Sequence, residues 1–290
     1  MLLIDYSQLV IGAAQAWHAK DKSPMDMDLM RRLTLTSILD MKEKLRPYAE
    51  EVVLCMDSKR YWRRDIFPHY KGKRKESRAK QQEKGTFDWK TFYQCFDQMK
   101  REIADNLPVR CVEVDGAEAD DVIATLARLY AVHKPVCIVS ADTDFVQIQQ
   151  SFDPRIKQWS NTVRKFITPD NQDYDLFEHV VRGDTGDGVP NILSDDDTFM
   201  NEEKRQTPIR AKSIKQWSAF GLAQPDKFCN SLETLERFER NRRLIDFRYI
   251  PEELATAIVD KYNSVLPTKG KTFNYMIEHR LGKIMERGGF

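Results

Sequence analysis

The stretch RCVEVDGAEADDVIATLARLY (residues 110–130), followed closely by VCIVSADTD (residues 136–144), decides the fold. Residues 110–114 and 136–139 are short apolar runs, too brief for helices and rich in the residue types that fill buried strands. Between them, Val122, Ile123, Leu126, Ala127, Leu129 and Tyr130 recur at helical spacing and give residues 118–130 one apolar stripe. Working outward, residues 2–4 and 52–56 are two more strand-like runs, and residues 27–45 and 87–107 two more helical ones. This alternation predicts an α/β fold with a mostly parallel central sheet flanked by helices. Residues 155–159 predict a late strand or hairpin arm. Beyond about residue 174 the pattern turns helical, over 174–181, 209–220, 231–240, 252–262 and 272–285, with a loop over 183–207. The expected division is an α/β part over 1–170 and a helical part over 171–290 packed on it.

Composition bounds the class. The chain has 290 residues, 41% hydrophobic and 31% charged, which suits a globular protein with a real core. Lys and Arg number 46 against 45 Asp and Glu, so the net charge of +1 excludes a uniformly basic coat while allowing strong local fields. No apolar run is long enough to span a membrane. The first residues lack the basic and long apolar regions of a signal peptide and read as a core strand. Five cysteines, odd in number and never at CxxC spacing, argue against a disulfide framework or zinc site and favour a reducing cytosol.

The acids fall in a pattern. Asp5 closes the first strand, Asp57 follows the second, and Asp142 and Asp144 follow the fourth. Glu118, Asp120 and Asp121 open a helix just after the third strand, and Asp184 and Asp187 sit in the turn-forming run GDTGDG (residues 183–188). Ligands of open α/β sheets bind beyond the carboxyl ends of the strands, so these acids converge on one edge. A single Asp after a strand is usually a turn or cap residue, Asp120 or Asp121 included; the joint pattern is what points to chemistry. Two unit charges about 5 Å apart repel by roughly 3 kcal/mol at an effective dielectric near 20. Converging carboxylates therefore call for protonation or for divalent cations, and a set with oxygen donors alone selects Mg²⁺ or Mn²⁺. Two such ions form a clamp suited to cleaving a phosphodiester. Asp195, Asp196 and Asp197 read as a solvated loop.

Directly after Asp57, residues 59–84 hold eleven Lys and Arg against three acids, interleaved with Tyr61, Trp62, Phe67 and Tyr70. Basic groups track a nucleic-acid backbone and aromatic faces stack on unpaired bases. Residues 72–86 have few apolar side chains, which predicts disorder until a strand is bound.

These pieces, in this order, resemble the structure-specific 5′ nucleases, the flap-endonuclease superfamily. The matching runs are LID (3–5), DSK (57–59), Arg63 with PHYKGKR (68–74), EADD (118–121), SADTDF (140–145) and GDTGD (183–187). YWRRD (61–65), RQTP (205–208) and LIDFRYIP (244–251) resemble a bacteriophage branch and extend the likeness over nearly the whole chain. The resemblance implies a PIN-like 5′-nuclease core over 1–170, with a basic arch or clamp at about 59–86, and a DNA-binding helical part over 171–290. It places Asp5, Asp57, Glu118, Asp120 and Asp142 around a first, catalytic Mg²⁺, and Asp121, Asp144, Asp184 and Asp187 around a second. Arg63, Tyr70, Lys71 and Arg74 fall in the arch, with Lys71 and Arg74 on the scissile phosphate and Tyr70 stacked on a base. The family's Gly-x-Gly-x-Lys-like turn for K⁺ is not matched after Asp187, which removes the sequence support for a K⁺ site. Lys204, Arg205, Arg210, Lys212 and Lys215 offer a salt-sensitive duplex contact in its place.

The implied activity is Mg²⁺-dependent hydrolysis at 5′ ends of DNA, and of RNA in RNA–DNA hybrids, including flaps and primers. Implied partners are such nucleic acids, a single-strand DNA-binding protein and a sliding clamp, for a monomer without membrane contact in the cytoplasm, the bacterial host's if the chain is viral. A haloacid-dehalogenase-like phosphatase would use Asp142 in its strand-DxD motif, but leaves Asp5, Asp57, Glu118 and the basic segment without a role. A non-catalytic DNA-binding replication factor would have lost acids that this chain keeps. A PIN-type ribonuclease fits the strand-end acids but is normally much shorter and lacks the arch.

Overall fold

The computed structural model describes residues 1–151, 153, 155–169, 176–268 and 270–290. In chain order the elements are β1 (Leu2–Asp5), α1 (Tyr6–Lys20), α2 (Met27–Lys44), β2 (Val52–Met56), α3 (Arg63–Ile66), α4 (Gly72–Glu83), α5 (Trp89–Asn106), β3 (Arg110–Glu113), α6 (Ala119–Tyr130), β4 (Cys137–Val139), α7 (Val146–Ser151), β5 (Lys157–Ser160) and β6 (Lys165–Ile167). They continue as α8 (Leu176–Arg182), α9 (Ala211–Trp217), α10 (Leu232–Ile245), α11 (Glu252–Ser264), α12 (Thr272–Glu278) and α13 (Gly282–Arg287). The helix expected from residue 174 starts, among the described residues, at Leu176; Tyr174 and Asp175 lie outside them.

The chain divides into two compact units. The first comprises Met1–Lys59, Gln81–Thr168 and Glu252–Phe290, the second Arg60–Lys80 and Pro169–Pro251.

The first unit is built on the expected sheet, in the order β3-β2-β1-β4-β5-β6. Strands β1 to β5 pair in parallel and β6 returns antiparallel to β5. Every residue of β1, β2 and β4 is buried, as both-sided coverage of a parallel sheet requires. Leu2 and Ile4 face one core with Leu9, Met30, Ile38, Phe92 and Met99 of α1, α2 and α5. Leu3 and Val53 point the other way and are equally buried, on the face where α6 packs. In α5, Trp89, Phe92, Cys95, Phe96, Met99 and Ile103 are buried at three- and four-residue spacing, which fixes that helix by its apolar stripe. Each such side chain contributes about 1.5–3 kcal/mol on burial. All five cysteines are free thiols.

The C-terminal helices of this unit are tied to it by polar networks. Arg31 donates to both oxygens of Glu102, at 2.8 and 2.7 Å, and the Tyr275 hydroxyl donates to Glu102 at 2.7 Å. Glu51 accepts from Arg110 at 2.8 Å, and from Lys134 and the Tyr262 hydroxyl.

The second unit buries Phe67 and Tyr70 with Phe177, Val180, Val189, Ile192, Ile214, Phe228 and Phe238. Asn241, fully buried on α10, donates to the carbonyls of Val180 and Pro190 at 3.0 and 2.9 Å, so the α8 helix and the loop after it are fixed to α10. Residues expected to be disordered form helix α4. It buries no side chain. Lys, Arg, Glu, Gln and Ala are strong helix formers, and a Lys80–Glu76 pair at 2.7 Å spans one turn.

Burial alone would push the Glu102 carboxyl up, but hydrogen bonds from Arg31, Tyr275 and Gln98 hold it at about 2, against an ordinary 4.5. A depressed carboxyl stabilises the fold fully above its unfolded value and loses that contribution as pH falls through the folded one. Glu102→Gln is therefore expected to cost about 3 kcal/mol at pH 7. Its deficit relative to wild type should shrink between pH 4.5 and pH 2, as urea unfolding across that window would show.

Candidate active site

The carboxyl edge of the sheet in the first unit is where the acids gather: Asp5 and Asp142 cap the turns that follow their own strands, and Asp57 reaches across to the start of α6. Asp5 ends β1 and its Oδ1 accepts the Gln8 N–H at 2.9 Å, capping α1. Asp57 follows β2 and its Oδ1 accepts the Ala119 N–H at 2.9 Å, at the start of α6. Asp142 follows β4 and its Oδ1 accepts the Asp144 N–H at 3.0 Å, capping the short 3-10 turn Thr143–Phe145. Glu118 is the N-cap of α6 and is 1% exposed. Its N–H donates to Asp121 Oδ2 at 2.9 Å, and Asp121 is fully buried.

These contacts join into one site. The Ser140 hydroxyl lies 3.4 Å from Asp5 Oδ2, and the Asp142 N–H donates to Ser140 Oγ at 3.2 Å, linking the ends of β1 and β4. The Asp57–Ala119 bond links the end of β2 to Glu118 and Asp120. Burial drives the Cys55 thiol well above its ordinary range, and Asp5 and Asp120 push it further, so both carboxylates act on one buried atom. The edge thus brings together Asp5, Asp57, Glu118, Asp120 and Asp142. Asp57, Asp120, Asp142 and Asp144 are partly exposed, while Asp121 is enclosed.

The second unit holds the other candidates. Gly183 and Gly188 have φ of +68° and +74°. A Cβ on Gly183 would stand 2.3 Å from the Val189 carbonyl oxygen, so only glycine closes this turn. Within it, Asp184 Oδ1 accepts the Asp187 N–H at 2.9 Å, and Asp184 Oδ2 lies 3.4 Å from His179 Nε2. Burial alone would raise the Asp184 carboxyl; His179 and the Asp187 N–H bring it below its ordinary value.

Two of the four arch residues, Arg63 and Tyr70, are buried within the unit. Arg63 is buried, donates to the Leu244 carbonyl at 2.8 Å and lies over the Trp62 ring. Tyr70 is 4% exposed, its ring part of the apolar core, and its hydroxyl donates to Asp187 Oδ2 at 2.7 Å. Arg74 Nη2 donates to Asp187 Oδ1 at 2.5 Å and Lys71 Nζ is 3.7 Å from Oδ2. Lys204 pairs with Asp195 and Asp197 at 3.1 and 2.6 Å. Arg205, Arg210, Lys212 and Lys215 are exposed.

Sequence reasoning missed Gln8 and His179. Gln8 Oε1 accepts the Ala141 N–H at 2.5 Å and so helps set the loop that carries Asp142. His179 lies five positions before Asp184, a spacing that carries no recognisable motif.

A parallel sheet whose carboxyl edge gathers acids is the frame of a 5′ nuclease, and the chain belongs to the 5′-3′ exonuclease family. Residues 1–175 match the family described as 5′-3′ exonuclease, N-terminal resolvase-like domain, and residues 170–288 match T4 RNase H, C terminal. The Ribonuclease H of Enterobacteria phage T4 is 32% identical over 291 residues, spanning 97% of this chain and 92% of that protein. The fold is shared with the bacteriophage T5 D15 flap endonuclease, solved as a pseudo-enzyme-product complex with DNA and metal ions, at 18% identity and a TM-score of 0.62 over 98% of each chain. It is shared as well with T5 5′-exonuclease bearing divalent zinc, at 18% identity and a TM-score of 0.59 over 99% of this chain and 98% of that one. Among the described residues, no helix is long and apolar enough to cross a membrane.

Because Asp121 is spent on the α6 N-terminus, Asp121→Ala should lower stability by about 1–2 kcal/mol in EDTA, where no metal contributes. Denaturant melts of the metal-free protein check this; an unchanged midpoint would remove the capping role.

Proposed function

We propose that this nuclease is a divalent-metal-dependent 5′→3′ exonuclease and flap endonuclease acting on DNA and on RNA paired with DNA. The observation that carries the proposal is the gathering of Asp5, Asp57, Glu118, Asp120 and Asp142 at one sheet edge, in a chain of this family.

The donor set fits a hard cation. It is made of carboxylate oxygens, and the nearby Cys55 thiol, with its pKa driven up, stays protonated and is a poor ligand. Asp5, Asp57, Glu118, Asp120 and Asp142 would hold a first Mg²⁺, with Mn²⁺ able to substitute. Asp121, Asp144, Asp184 and Asp187 are carried over from the family for a second, partly through waters. When bound, such ions lower the pKa of a water and neutralise charge on the phosphate. The protein's own part is orientation. Backbone N–H groups of Gln8, Ala119 and Asp144 fix Asp5, Asp57 and Asp142 before any ion arrives. Lys71 and Arg74 would neutralise charge developing on the scissile phosphate. Arg205, Arg210, Lys212 and Lys215 would follow duplex backbone. The leaving group is the 3′ oxygen, so products carry 5′ phosphates. In replication this activity removes RNA primers, with a single-strand DNA-binding protein and a sliding clamp as partners, in the bacterial host cytoplasm.

Digestion of a 5′ flap, a nicked duplex and an RNA–DNA hybrid side by side tests the proposal. Mg²⁺ should release short 5′-phosphorylated fragments and EDTA should abolish release. Asp142→Asn should slow cleavage at least about 100-fold, equivalent to about 3 kcal/mol of barrier, while retaining flap binding in Ca²⁺. Folded protein with no Mg²⁺-dependent release would reject it.

A further inference from the structure

The carboxylate of Asp187 is engaged by the arch. Three side chains of the segment Arg60–Lys80, in the same unit, close on its two oxygens. The Tyr70 hydroxyl donates to Oδ2 at 2.7 Å, Arg74 Nη2 to Oδ1 at 2.5 Å, and Lys71 Nζ stands 3.7 Å from Oδ2. The main chain joins in, because the Lys71 N–H donates to the Asp187 carbonyl at 2.7 Å and Arg74 Nε to the Gly186 carbonyl at 3.2 Å. Lys71 holds a φ of +56°, in the left-handed region uncommon for a residue with a side chain. The Asp187 and Lys71 side chains are 15% and 11% exposed, while Arg74 reaches Asp187 from the solvent side at 45%. The two cations here are those the proposed function assigns to the scissile phosphate.

We infer that Asp187 is a positioning residue of the arch, a built-in counter-anion that holds Lys71 and Arg74 until a nucleic-acid phosphate displaces it. This rests on the proposed nucleic-acid function and deepens it. A carboxylate meeting one guanidinium, one ammonium and one hydroxyl has most of its acceptor capacity used before substrate or ion arrives. A phosphate offers the same cations more oxygens and comparable charge, so the exchange is close to balanced. It also neutralises a basic segment that would otherwise bind any polyanion. Substrate binding then pays for the release of the arch, and a 5′ strand that cannot reach Lys71 and Arg74 gains nothing.

The test is fluorescence-anisotropy titration of a 5′-flap DNA in EDTA, over a series of salt concentrations. With Asp187→Asn, affinity at 100 mM salt should rise about 3- to 10-fold, and the slope of log K against log salt should steepen, because the carboxylate released in wild type takes up a salt cation on binding and the amide does not. In a Lys71→Ala, Arg74→Ala background the same substitution should change neither. A merely structural role for Asp187 would weaken binding. Unchanged or weaker binding by folded Asp187→Asn, or an equal gain in the double-alanine background, overturns the inference. If Asp187→Asn does not fold by circular dichroism, Asp187→Ser is measured by the same criteria. Failure of wild type itself to bind the flap would instead overturn the proposed function and the inference with it.

Discussion

The structure depends on how negative charge is held at the carboxyl edge of the parallel sheet. Five carboxylates share that edge, and like charges brought within about 5 Å repel by roughly 3 kcal/mol at an effective dielectric near 20. The fold offsets part of this through backbone N–H groups: Gln8 to Asp5, Ala119 to Asp57, Asp144 to Asp142. A carboxylate near a helix N-terminus gains about 0.3–1 kcal/mol from the helix dipole. That is smaller than the repulsion it accompanies. The capping bonds hold the acids in place without cancelling their like charge, and under the proposed function divalent cations would supply the balance.

Positive charge is managed in the opposite way in the second unit. The basic segment begins beside Asp57 in sequence, and its cations are not left to solvent alone. Lys71 and Arg74 meet Asp187, and Lys80 meets Glu76. Around the acidic run 195–197, Lys204 takes Asp195 and Asp197, Arg237 takes Asp195, and Arg240 takes Asp196. The run that reads as a solvated loop is thus a set of ion pairs that fastens the long segment 183–207 to α10. Exposed pairs of this kind contribute little singly; as a network across a segment with few apolar residues they supply fixed geometry.

Much of this was legible in the sequence. Runs 2–4, 52–56, 110–114 and 136–139 were readable because buried parallel strands need apolar residues on both faces and the flanking segments have helical period. The strand-end acids were readable because their positions follow from the strands. Helix α1 escaped because its cap is Asp5 itself, an acid already given to metal chemistry, and because its residues mix small and polar types. Strand β6 is three residues with an exposed Lys and Phe, and no pattern that short announces itself. The arch aromatics misled for a physical reason: an aromatic ring stacks on a base or fills a core with equal chemical fitness, and Phe67 and Tyr70 fill the core. Helix α4 escaped since it buries nothing, and burial is what pattern reading detects.

The last point concerns acids that serve fold and chemistry together. A carboxylate has about four acceptor positions, and a cap uses one or two. Asp5, Asp57 and Asp142 each give one oxygen to a backbone N–H at a sheet edge. Asp121 differs in degree: it is wholly enclosed and braces the N-cap of α6 from within. Asp187 differs in kind, since two of its three side-chain partners, Lys71 and Arg74, are cations. Sequence assigns all of these the same letter. Their surroundings separate them by the charge of what each carboxylate meets: neutral N–H donors fix an acid and leave its charge in place, whereas Lys and Arg offset it.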